Sequence, residues 1–189
     1  MFRDLVLANR SYRRFREDEA VDMAALRSLV DLARCTPSAA NLQPLKYIIT
    51  NTRERNAAVF STLAWAGYLT DWPGPSEGER PSAYIVILHD TRISKSPGCD
   101  HGIAAQTILL GATEMGLGGC MFGSIDRDRL RKELQIDECF EILLVIALGR
   151  PVEKVVLEDV GPDGSIKYYR DEHGVHHVPK RKLDDIIIG

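Results

Sequence analysis

Apolar residues recur along the chain at two spacings, and the spacing predicts where the backbone winds and where it extends. Phe2, Leu5 and Val6 fall at helical intervals and predict a short first helix over Phe2 to Asn9. From Asp22, a residue suited to capping, Leu26, Leu29, Val30 and Ala33 line one face of a second helix that Pro37 closes. Leu45 to Thr50 reads as a strand and Arg53 to Ala66 as another amphipathic helix. The proline- and glycine-rich stretch Trp72 to Pro81 predicts a loop, ending at the strand Ala83 to His89. The pattern over Asp100 to Gly116 is apolar nearly all round, through Ile103, Ala104, Ile108, Leu109, Leu110, Ala112 and Met115, so this helix is expected in the middle of the domain. A glycine-rich turn then leads into Cys120-Met121-Phe122-Gly123, a charged helix starts at Asp126, and the strand Ile142 to Leu148 ends at Gly149-Arg150-Pro151.

The carboxy-terminal portion reads differently. Pro162-Asp163-Gly164-Ser165 and Asp171-Glu172-His173-Gly174 are turn signals flanking short polar, β-prone pieces, which predicts a hairpin excursion. Pro179-Lys180-Arg181-Lys182 follows, and then the apolar piece Ile186-Ile187-Ile188. No repeat or low-complexity linker divides the chain, so residues 1–189 are read as one domain. Helices and strands mix without strict alternation, which favours an α+β arrangement over a doubly wound sheet.

With 24 basic and 27 acidic residues and a net charge of −3, the chain lacks the broad basic excess of a nucleic-acid binder. Its apolar runs are of strand length, and Met1-Phe2-Arg3-Asp4 leads straight into a helical pattern, so no membrane association and a cytoplasmic location are expected. The four cysteines form no C-x-x-C pair, and Cys35 and Cys120, within apolar patterns, read as small buried residues.

Against this balance one window stands out. Arg10, Arg13, Arg14 and Arg16 crowd into seven residues, where uniform composition would give about one. A second basic cluster, Lys180-Arg181-Lys182, lies near the end. One phosphate gripped from both termini and two independent solvated patches both account for them. The loop Pro37-Ser38-Ala39-Ala40-Asn41-Leu42-Gln43-Pro44 has small residues that admit a flat ligand and amides that could read its polar edge, or it is a connection held by its own side-chain bonds. The stretch Gly116 to Ser124 lacks the G-x-G-x-x-G fingerprint of a Rossmann nucleotide site, but backbone N–H groups around Gly123 and Ser124 can face an acceptor. His101, His173, His176 and His177 read as surface residues rather than metal ligands, with His176 and His177 on opposite sides of a strand. No metal site and no Ser/His/Asp or paired-carboxylate set emerges.

Taken in order, these pieces resemble the FMN-dependent nitroreductase family. The likeness rests on R-S-x-R-x-F at Arg10 to Phe15, P-S-A-x-N-x-Q-P at Pro37 to Pro44, G-L-G at Gly116 to Gly118, L-G-R-P at Leu148 to Pro151 and the basic P-K-R-K tail. The resemblance implies a mostly antiparallel central sheet flanked by helices, and a homodimer with FMN at the subunit interface and the carboxy-terminal strand at Ile186 to Ile188 exchanged. It implies that Arg10 and Ser11 hold the ribityl-phosphate end, with Lys180 and Lys182 closing on the phosphate. Arg13 would reach the pyrimidine edge, and Pro37, Ser38, Ala39 and Asn41 would approach the ring from the other subunit. Met121, Gly123 and Ser124 would lie along the cofactor, with the backbone near Gly123 donating to the reactive nitrogen; Arg13 and Gly123 are thus the catalytic candidates. Arg14 and Arg16 keep the reading of a solvated surface. Asn9 departs from the pattern where many relatives carry a further arginine, and little chain is left for a substrate lid. The aromatic segment Trp65 to Trp72 would serve as lid or as local core.

The activity implied is electron transfer from NAD(P)H through FMN to a nitroaromatic, quinone or similar small acceptor by alternating half-reactions. Hydride chemistry on a flavin needs no side-chain nucleophile, which accounts for the absence of one. Two alternatives stand beside it: an FMN reductase with a non-nicotinamide donor or a specialised substrate, and a non-catalytic flavin-binding module.

Overall fold

All eight residues of the strand Ala83–Asp90 are buried, and the two faces of that strand organise the molecule. In the computed structural model, which describes residues 1–189, four strands form one antiparallel sheet. They are β1 (Leu45–Thr50), β2 (Ala83–Asp90), β3 (Gly118–Phe122) and β4 (Phe140–Gly149), in the order β1-β2-β4-β3. Ala83, Ile85 and Ile87 point into a core shared with helices α2 (Met23–Arg34) and α4 (Asp100–Glu114). Their neighbours Tyr84, Val86 and Leu88 point the other way, into a core that includes Val59 of α3 (Arg53–Phe60) and Leu130 of α5 (Arg127–Leu134). A strand covered on both faces has no reason to alternate in polarity, hence its continuous apolar run. The fold is the expected α+β arrangement, a mostly antiparallel sheet flanked by helices. No helix is long and apolar enough to cross a membrane.

The amino-terminal segment is held against the far edge of this sheet. After α1 (Phe2–Ala8) the chain runs extended, and the Tyr12 N–H donates to the Gly119 carbonyl at 3.0 Å. The Phe15 N–H donates to Glu79, Arg16 to Arg150, and Val152 back to Arg14, at 2.8–3.1 Å. Phe15 is fully buried on the exit of β4. Glycine makes room where the segment comes closest. A Cβ on Gly118 would stand 2.5 Å from the Tyr12 ring, and one on Gly149 would stand 3.1 Å from Phe15.

A second, three-stranded sheet comes from the carboxy-terminal portion. It joins β5 (Val155–Asp159), β6 (Tyr169–Arg170) and β7 (His176–Lys180), with β7 parallel to β5 and antiparallel to β6. The turn at Asp171 to Gly174 was legible from its residues. Its aspartate accepts from the backbone N–H groups of His173 and Val175, the local bonding that favours Asp in turns.

Several expectations are corrected. The helix expected over Arg53 to Ala66 ends at Phe60, because residues 61–66 find tertiary partners instead: Leu63 bridges Ile125, and the Thr62 carbonyl accepts from Asp126. Gly118 and Gly119 belong to β3 rather than to a turn. The α4 helix is not wholly enclosed in the single chain, since Gly102, Ile103 and Gln106 are exposed. Cys120 is buried as expected, but Cys35, the last residue of its helical pattern, is exposed. Trp65 packs edge-on to Phe122 with ring centroids 4.6 Å apart, so it belongs to the core and not to a lid. Ile186, Ile187 and Ile188 pair with no strand of their own chain and are 60, 59 and 99 % exposed.

Phe15 is the apolar anchor of the amino-terminal segment. Phe15→Ala is expected to lower stability by about 3–5 kcal/mol, the range for emptying a large aromatic site. A urea midpoint unchanged from the wild type would remove that role.

Candidate functional site

Three cations and no carboxylate line a cavity of about 340 Å³ beside the amino-terminal segment. Arg10, Ser11 and Arg13 come from that segment, Leu109 and Gln106 from α4, Met121 from β3, and His176 and Lys180 from β7. The apolar residues Leu109, Val155 and Val178 furnish the rest of the wall with Tyr168. Both basic clusters of the sequence therefore contribute to one concavity. A larger cavity, about 440 Å³, lies elsewhere and is lined by Glu17, Asp18 and Glu77 as well as Arg53 and Arg80. Three carboxylates disfavour an anionic ligand there, so charge and not size selects the smaller cavity.

The arginines are aimed by residues the sequence did not single out. Glu153, whose side chain is 1 % exposed, accepts from the backbone N–H of Arg13 and, at 3.2 Å, from that of Arg14. Its second oxygen takes the Arg170 guanidinium at 3.0 Å, and Arg170 lies over the Trp72 ring. Arg14 turns away from the cavity to make a two-pronged pair with Glu79, which holds the Glu79 carboxyl below its ordinary value. It is a structural residue rather than the solvated one expected; Arg16, paired only with exposed Glu19, keeps the surface reading. Arg13 is left to face the cavity, its guanidinium 4.9 Å from the Tyr168 ring and 3.3 Å from His176 Nε2. Arg10 donates to the Val6 carbonyl through one terminal nitrogen, while its Nε is buried without a partner.

His176 corrects the surface reading of the histidines. It is 1 % exposed, and burial beside Arg13 and Arg170 lowers its pKa to about 4. The strand alternation held: His177 faces the opposite way, between Glu158 at 3.0 Å and Asp171 at 3.1 Å, and these bonds raise its pKa. No group of three or more His, Cys, Asp or Glu side chains is arranged to hold a metal ion.

The remaining sequence candidates lie apart from this cavity. Pro37 and Ser38 line a different concavity with Asp100. Ser38 Oγ donates to Asp100 at 2.6 Å and the Ala39 N–H at 3.1 Å, which pins the loop to the start of α4. Ala40, Asn41 and Gln43 have φ of 49, 54 and 52°, so this short loop is held in a left-handed conformation that costs about 1–3 kcal/mol for each such residue. Gln106, in the wall of the cationic cavity, is six residues beyond Asp100, about 9 Å along α4. Asn41, Gly123 and Ser124 are exposed, and the Gly123 N–H makes no hydrogen bond within the chain. Lys182 follows β7 and is exposed.

Comparison with known proteins decides the kinship. Residues 6–150 match the model of the nitroreductase family. The chain belongs to that family. A provisionally named NADH dehydrogenase/NAD(P)H nitroreductase of Methanothermobacter thermautotrophicus is 28 % identical over 164 residues, 83 % of this chain and 81 % of the relative. A nitroreductase family protein of Streptococcus pneumoniae shares the fold at a TM-score of 0.73 over the whole of both chains, with 19 % identity. A protein of Clostridium difficile named as an FMN-dependent nitroreductase shares it at 0.63 and 23 % identity, over 78 % of this chain and 87 % of that one. Nitroreductase membership makes the protein an oxidoreductase. The second sheet, with His176 and Lys180, lies beyond the matched residues.

The geometry bears on stability in two ways. Glu153→Gln leaves Arg170 buried without its counter-charge and should lower stability by about 3–5 kcal/mol, read from urea unfolding. The second concerns pH. Between about pH 4 and 6.5 the unfolded chain binds a proton at His176 that the folded chain does not. The contribution of His176 is therefore complete above 6.5 and declines as pH falls towards 4. Unfolding midpoints of wild type and His176→Asn should converge as the solution is acidified; curves that stay parallel would rule the effect out.

Proposed function

We propose that this nitroreductase is an FMN-dependent enzyme that passes electrons from NADH or NADPH to a nitroaromatic, quinone or similar small acceptor in alternating half-reactions. The observation that carries the reading is the cavity in which Arg10, Arg13 and Lys180 converge with no carboxylate in the lining. The residues suit a phosphate-bearing flavin: the Nε–H of Arg10 is a buried donor without an acceptor, and aliphatic residues line the remaining wall. The name of the Clostridium difficile protein of the same fold points the same way.

When bound, FMN supplies the acceptance and release of hydride. The protein's part is to bind, orient and supply charge. Arg10, Ser11 and Lys180 hold the phosphate end, with Lys182 closing from beyond β7. Arg13 would set a fixed positive charge beside the pyrimidine, suited to stabilising negative charge there. The Gly123 N–H, free of any bond in the chain, would donate to the ring, with Ser124 beside it. Pro37 and Ser38 line a different concavity of the same chain, with Ala39 and Asn41 next to them in the loop, and a second copy would bring all four to the ring in a homodimer. The unpaired Ile186 to Ile188 would then add a strand to that partner's sheet.

The purified protein is expected to be yellow and to bleach on anaerobic mixing with NADH or NADPH. Protein that stays colourless after soaking with FMN would sink the proposal. Bleaching by neither nucleotide would instead favour a different electron donor. Arg10→Ala should weaken FMN binding by about 1.5–3 kcal/mol, the worth of a hydrogen bond to a charged group. Fluorescence titration showing unchanged affinity would refute that role.

A further inference from the structure

We propose that His176 is a ligand-binding residue of the cationic cavity, a neutral imidazole that donates its Nδ1–H to an oxygen of the bound phosphate ester while its Nε2 holds Arg13 in place. The inference rests on the flavin reading for the identity of the ester, but not for the donor itself.

A guanidinium has five N–H donors and no acceptor. At 3.3 Å from an Arg13 terminal nitrogen, His176 Nε2 can form a hydrogen bond only by accepting. A neutral ring that accepts at Nε2 carries its proton at Nδ1. The ring stays neutral because it is buried beside the positive charges of Arg13 and Arg170, with His177 next to it in sequence. Glu153 does not neutralise it, since that carboxylate is already taken by Arg170 and by the backbone of Arg13 and Arg14.

The donor thus assigned has nothing to donate to. His176 Nδ1 is buried and has no hydrogen-bond partner in the chain, and His176 lines the same cavity as Arg10, whose Nε is likewise buried and orphaned. An unpaired buried donor costs about 1–3 kcal/mol, so two of them on residues that line one cationic pocket call for an acceptor. With three cations around it and no carboxylate, that acceptor is an anion's oxygen. A neutral N–H adds specificity there without a fourth charge. The ring is also well anchored: its backbone N–H donates to Lys154 at 2.8 Å, and Tyr168 packs against it with centroids 5.2 Å apart. The family match ends at residue 150, so the device belongs to the part of the chain that the match does not cover.

Two measurements test this. Nitrogen-detected NMR of the free protein near neutral pH should show the His176 ring neutral and protonated on Nδ1, and its Nδ1 signal should move on adding FMN or inorganic phosphate. A ring protonated on Nε2 overturns the proposal without any variant having to fold. The variants then separate the two nitrogens. Asn places an N–H where Nδ1 stood, whereas Gln reproduces only Nε2 and Phe neither. His176→Asn should bind FMN within about three-fold of wild type, and His176→Gln and His176→Phe about ten-fold or more weaker, as expected for a lost bond to a charged group. Wild-type affinity in His176→Gln would reduce the residue to a support for Arg13 and overturn the donor role. If wild type binds no FMN but phosphate moves the ring signal, the flavin reading falls and the donor role stands. If FMN binds and the signal stays still, the donor role falls and the flavin reading stands; if neither binds, both fall.

Discussion

With its side chain 1 % exposed, Glu153 would be a severe liability if its charge were not met from three directions. The backbone N–H groups of Arg13 and Arg14 and the guanidinium of Arg170 meet it. That arrangement fixes the backbone of the amino-terminal segment at the one point where the direction of two adjacent side chains matters. With the N–H groups of residues 13 and 14 tied to one carboxylate, Arg13 faces the cavity and Arg14 faces Glu79. Phe15 then drops into the core and locks the register. The cavity, its charge and its reach to β7 all depend on this clamp.

The strands were largely legible because burial writes itself into composition. Leu45–Thr50 and Ala83–Asp90 are bounded by polar or turn residues, and their apolar runs leave little choice of structure. The end of α3 was not legible, because residues 61–66 keep a helical pattern while pairing with partners near Ile125 that no local window contains. The site divided in the same way. Arg10, Ser11, Arg13 and Lys180 carried signal as local clusters of charge. Glu153 and His176 did not, because the meaning of each comes from Arg13, more than 130 positions away. A polar residue between β-prone neighbours looks the same whether it faces water or a buried arginine. The alternation of His176 and His177 across β7 was the one usable hint, since it requires one of the pair to face inward.

Overall charge misleads for a related reason. A chain with net charge −3 still presents an all-cationic cavity, because its acids are placed elsewhere: in the larger cavity at Glu17, Asp18 and Glu77, and in pairs such as Glu79 with Arg14. Segregation of charge, not its total, prepares a surface to receive an anion.

The clamp between residues 13 and 153 also sets an order of events in biosynthesis. Its two halves are separated by 140 residues, so the segment carrying Arg10 to Arg16 is made early and docks only once residue 153 has been made. Helices and the β1-β2 pair can form while the chain is still emerging from the ribosome, but Phe15 has no finished seat until β4 and its exit are available. Contacts of such long sequence separation close slowly. A nascent chain stalled anywhere before residue 153 would therefore expose an aromatic residue amid four arginines, a segment that chaperones or proteases would meet first.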